Sequence, residues 1–161
     1  MADVGSSSLI MLMTALIVSG AASVTLINAW SISTDASENK LLKREADAAT
    51  EVALAGDPLS VDYDDGGTDD ITIYLQNIGK KELGRTAGDI GIFVNGVDET
   101  SDIQSRNMVS GADWVTNSLL ELVVRVPGLN DGDDVKITVI VRSEGSNPRG
   151  TDSISEVVRL V

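Results

Sequence analysis

The chain has 161 residues, no Cys and no His, and 25 acidic against 12 basic residues, for a formal net charge of −13. That balance excludes a nucleic-acid partner, which would need Lys and Arg to displace counterions from phosphates. Without thiols or imidazoles there are no disulfides, no Cys nucleophile, no His general base and none of the usual zinc or iron sites, so no cofactor is expected.

The charges are unevenly spread. From Val4 to Thr34 there is not one charged residue, and all but one of the 37 charges lie beyond that stretch. Within it, Leu9–Trp30 is a run of 22 predominantly apolar residues. As a helix it would span ~33 Å, the thickness of a bilayer's hydrocarbon core. Trp30 ends the run, where an interfacial ring is favoured, and Ser6, Ser7 and Ser8 are candidate N-caps. A cleaved secretory signal would carry a basic stretch before a shorter apolar run. A core helix of a soluble domain would be buried on every side. The run fits best as a transmembrane or bundle helix, with membrane lipid as one partner.

Ala15, Ser19, Ala22 and Ser23 recur at spacings of three and four, and Gly20 lies between them. Small residues spaced this way let helix backbones approach closely, so these five are candidate helix-packing residues and the chain is expected to form homo-oligomers through them. The nearest basic residues, Lys40, Lys43 and Arg44, follow the run. By the positive-inside rule they weakly favour a cytoplasmic C-terminal side.

Ser33–Ala55 contains no Gly or Pro and is rich in Ala, Leu, Glu and Lys. These are strong helix formers. The spacing predicts a helical stem, continuous with the first helix or separated by a break near Ser33. Leu41, Ala48, Val52 and Ala55 form an apolar stripe, and Lys43 can pair with Asp47 across one turn. Gly56-Asp57-Pro58 is expected to end the stem.

After Pro58 the pattern becomes alternation. Pro58–Tyr63, Ile71–Leu75, Ile90–Val94, Leu120–Val126, Val135–Val141 and Ile154–Val161 read as strands, with a weaker one around Arg106–Val115. The expected division is a helix and stem over 1–55 and a β-sandwich over 56–161. Trp114 is expected to bury against one sheet.

Asp62-Tyr-Asp-Asp-Gly-Gly-Thr-Asp-Asp70 groups carboxylates around two glycines. Asp62, Asp64, Asp65 and Asp69 are weak calcium candidates, because no closing Glu or flanking helix pair completes an EF-hand. The plainer reading is a hairpin turn in which Gly66-Gly67 supply positive φ. Asn130-Asp-Gly-Asp-Asp134 is read as a second turn. No nucleophile elbow, phosphate loop or Ser-His triad is present, and no catalytic residues are assigned.

Three segments together resemble a known family: the start Met-Ala-Asp-Val leading into Leu9–Trp30; Ile71-Thr-Ile-Tyr-Leu-Gln-Asn-Ile-Gly79; and Ile90-Gly-Ile-Phe-Val-Asn-Gly96. The chain resembles the archaeal flagellar (archaellum) protein G family, a stator component of the motor. The sister archaellar protein F family and the archaellins share the pattern. The resemblance implies an α+β chain, a pilin-like lollipop with a long hydrophobic helix followed by an immunoglobulin-like sandwich. It implies a non-enzymatic motor component at the archaellum base, with its β-domain outside the cytoplasmic membrane, against the weak charge signal. It also implies an archaellar protein F-like partner, S-layer or envelope contacts, and a short filament built through the helices. An archaellin or pilin-like filament subunit is the alternative. Such a subunit is expected to begin with a basic leader and a processing site, and neither is visible here.

Overall fold

A computed structural model of the chain describes residues 3–145 and 148–161. The apolar run and the stem form one unbroken helix, α1, over Asp3–Ala48, so there is no break near Ser33. Ser6, Ser7 and Ser8 lie inside its first turns rather than capping it, because the helix begins earlier. Leu42–Val161 forms one compact unit, and the helix before it another.

The stem does not run to Ala55. α1 ends at Ala48, and Val52–Ala55 is a strand, β1, paired antiparallel with β3 (Asp70–Asn77). Local propensity favoured helix here, but tertiary pairing prevails. Val52 is buried in the core. The carbonyl of Ala49 accepts from the N–H groups of Lys80 and Lys81 (2.8 and 3.0 Å), and that of Glu51 from Ile78 and Gly79 (3.0 Å each). The expected apolar stripe therefore splits: Leu41 and Ala48 are exposed, while Val52 turns inward.

The remaining strands are β2 (Asp62–Tyr63), β4 (Ile90–Val94), β5 (Val97–Asp98), β6 (Ile103–Met108), β7 (Leu119–Arg125), β8 (Asp134–Arg142) and β9 (Thr151–Arg159). One sheet has the order β1-β3-β7-β6, with β2 also on β3; the other has the order β5-β4-β8-β9. With β1 as strand A, these orders are ABED and C′CFG, the two sheets of an immunoglobulin-like sandwich. The register explains the alternation. Ile71, Ile73 and Leu75 face inward beside Val124, Leu122 and Leu120, and Ile90, Ile92 and Val94 beside Val141, Val139 and Ile137.

Three of the expected strands differ; the last, read as Ile154–Val161, runs over Thr151–Arg159. In the segment read as a strand over Pro58–Tyr63 the Pro58 carbonyl accepts from the Arg159 N–H at 2.8 Å, but strand pairing is confined to its end. There Val61 bridges Leu160 in parallel while Tyr63 pairs with Ile71, so the segment ties the two sheets together. The weak strand around Arg106–Val115 lies earlier, at Ile103–Met108, and the loop after it carries Trp114 into the core, where it is fully enclosed. The Tyr63 hydroxyl reaches the carbonyl of Leu129 (3.2 Å), pinning the β7–β8 connection.

Candidate assembly site

The apolar surface of α1 is uncovered. Leu9, Ile10, Met11, Leu12 and Met13 are 60–74% exposed, and at about 100° per residue these five point in every direction around the helix. Leu16, Ile17, Val18, Val24, Leu26, Ile27, Trp30 and Ile32 are similarly exposed. Covering such side chains is worth about 1 kcal/mol or more each, on the order of 10–20 kcal/mol together. That matches or exceeds the whole stability of an ordinary domain. A surface of this size calls for lipid or other helices. α1 is also the one helix, among the described residues, long and apolar enough to cross a membrane.

The polar side chains of the run are prepared for such surroundings. Hydroxyls of Thr14, Ser23 and Thr25 donate back to the carbonyls of Ile10, Ser19 and Ala21 at 2.8, 2.8 and 2.9 Å. Past the apolar run, Thr34 and Ser37 do the same to Trp30 and Ser33. A hydroxyl bonded within its own helix can leave water without the cost of an unmade hydrogen bond.

The five small residues all lie on this exposed helix. At about 100° per residue, Ala15, Ser19, Ala22 and Ser23 share an arc of about 100°, and Gly20 falls about 60° beyond it. A side chain added at Gly20 would meet nothing within 4 Å. The backbone is thus open at Gly20, beside the strip.

The acidic stretch is a hairpin turn between β2 and β3. Asp64 folds back on its own loop, its Oδ2 accepting from the N–H and hydroxyl of Thr68 at 3.0 and 3.1 Å. Gly66 takes φ +80° as expected, but the second positive φ falls on Asp69 (+57°) rather than Gly67. Asp62 stands on β2 and Asp65 in the turn, both exposed. Among the described residues no three acidic side chains come together as a metal site would need.

The structure adds one charged feature that the sequence did not single out. Asp89, 6% exposed, forms an ion pair with Arg149 and accepts from the Thr86 hydroxyl at 2.5 Å. Burial pushes its carboxyl up, but the hydrogen bonds from Thr86 and Arg149 outweigh that and hold it below the usual carboxylate value. The two residues are 60 positions apart, and nothing local in the sequence marks them as partners.

No curated protein matches the chain. A family model described as archaeal-type flagellin matches residues 2–156, taking in both α1 and nearly all of the sandwich. By that match the chain belongs to the archaeal-type flagellin family.

Proposed function

We propose that this chain is a stator component of the archaellum motor, anchored through α1 and joining the motor to the cell envelope through its β-domain. The family is structural and not enzymatic, which supports a mechanical part of the archaellum. The observation that carries the reading is the exposed apolar surface of α1, uncharged from Val4 to Thr34. It supports insertion in a membrane, with Ala15, Ser19, Ala22 and Ser23 as the strip where like helices meet, in a short filament. In this reading the sandwich stands on the outer side and holds an archaellar protein F-like or S-layer partner. The finer assignment to protein G rests on the resemblance of Ile71–Gly79 and Ile90–Gly96.

A second reading, a filament subunit packed through α1, is favoured by the flagellin match along residues 2–156. Deleting the gene in an archaeal host separates the two. A stator component leaves filaments present but motility lost, with the protein in the membrane fraction. A subunit makes up the sheared filaments themselves, which vanish on deletion. Filaments composed of this chain would overturn the stator reading.

A further inference from the structure

The last turns of α1 belong structurally to the β-domain. Ala46 is 3% exposed, whereas Leu41, one and a half turns earlier, is 64% exposed. Three consecutive residues just before and at the start of β9 lie along this turn. The Arg149 carbonyl accepts from Lys43 Nζ at 2.7 Å, and the Thr151 N–H donates to Asp47 Oδ1 at 2.8 Å. Lys43 Nζ also reaches Asp47 Oδ1 at 2.6 Å, closing the ring of contacts. Between them, Gly150 sits so close that a Cβ there would run into the Ala46 carbonyl and the Thr50 hydroxyl. Its φ is not among the positive ones, so the demand is for space alone.

These three residues are themselves held. The Ser143 N–H donates to the Gly150 carbonyl and the Gly150 N–H to Ser143 Oγ, at 2.9 and 2.8 Å, with Ser143 fully buried. Arg149 Nε donates to the Ser143 carbonyl at 2.7 Å, and its guanidinium pairs with Asp89 on the β3–β4 connection. On the other side Gly79 closes on the chain leaving the helix, where a Cβ would lie 2.6 Å from the Glu51 nitrogen and 2.7 Å from the Ala49 carbonyl oxygen. A flexible linker keeps its backbone solvated and is rich in Gly and Ser. Ala49-Thr50-Glu51 is neither: its carbonyls at 49 and 51 and the Thr50 hydroxyl are all bonded.

We propose that Arg149-Gly150-Thr151 is a clasp that makes Leu42–Ala48 a fixed part of the β-domain, so that force carried by α1 enters the sandwich through a joint and not a linker. The proposal rests on the structural reading above only for the source of the force, which the stator and the subunit readings both supply. A joint of this kind loads the β3–β4 and β8–β9 connections, which lead into strands of both sheets. A linker would absorb the same pull by extending.

Hydrogen exchange on the full chain in detergent micelles tests the joint. In the unmodified chain, amides of Leu42–Glu51 are expected to exchange about 100-fold more slowly than those of Ser33–Lys40, because they open only when the domain opens. Gly150→Val should erase that difference while leaving β7 and β8 protected. Should that variant not fold, Lys43→Gln combined with Asp47→Asn, at half-exposed positions, should speed exchange of the same segment about 10-fold. Equal exchange of the two segments in the unmodified chain, or no change in the double variant, would overturn the clasp. Membership of the motor or of the filament does not enter this readout, so failure of the clasp and failure of the functional reading remain distinguishable.

Discussion

The helix before Leu42 and the domain after it are both rich in aliphatic residues, yet their side chains have opposite fates. In the sandwich, Leu75, Leu120, Leu122 and Val124 are fully buried. In the helix, Leu12, Leu16 and Ile17 are 67–71% exposed. The difference is one of pattern. Alternation gives each strand one apolar face, which the opposite sheet covers. The run at Leu9–Met13 is apolar on every side, and no described residue covers it. The β-domain therefore contains its own driving force, whereas the helix depends on lipid or on other helices.

Substitutions should respect this division, and the largest effect should come from the core. Trp114→Ala is expected to cost the β-domain about 3–5 kcal/mol, read by denaturant unfolding in micelles, with membrane partition of the chain unchanged. Val18→Lys should do the reverse: about 2.5–3.5 kcal/mol less favourable insertion, measured by fractionation or translocation assay, with the unfolding midpoint of the sandwich unmoved. If Val18→Lys also destabilised the sandwich, the two regions would not be energetically separate.

Asp89→Asn comes next. Arg149 keeps 38% of its side chain exposed, so the loss should be about 1–2 kcal/mol, below that of a fully enclosed pair. Its pH dependence has a definite sign. The folded carboxyl lies below its ordinary value of 3.8, so its contribution is present above that pH and lost as pH falls through the depressed value. Thermal melts of the original chain and the variant should differ near neutrality and converge in strong acid. A constant difference at all pH values would remove Asp89 as the source.

The smallest effects concern the helix strip. Ser23→Ala should change self-association by no more than about 0.5 kcal/mol, since its hydroxyl is already bonded to Ser19 in its own helix. Ser19→Leu should weaken it by about 1 kcal/mol, because bulk keeps the backbones apart. Energy transfer between labelled chains in lipid vesicles measures both. If Ser23→Ala proved the more damaging, hydrogen bonding across helices and not close approach would hold the oligomer together.

Much of this was legible in the residue pattern. Four strands, β3, β4, β7 and β8, stood out because alternating Ile, Val and Leu signal a half-buried sheet whatever their partners. β5 has only two residues, too few for any period to show. β1 was hidden for a different reason: Ala-Thr-Glu-Val-Ala-Leu-Ala has good helix propensity, and only the open edge of β3 turns it into a strand. The clasp was the least visible part. Pro148-Arg-Gly-Thr151 reads as an ordinary loop, and nothing in it announces that Gly150 must leave room for Ala46, more than a hundred residues earlier.

The sequence alone determined an uncharged helix of bilayer length and an alternating acidic domain behind it, because periodicity and charge act locally. Tertiary structure decided where the helix stops. Asp47, Ala46, Ala49 and Glu51 look like the continuation of a stem, yet they meet Thr151, Gly150 and the β3–β4 connection. Hydrogen bonds made across the fold outweigh the few tenths of a kcal/mol per residue by which propensity favours another helical turn.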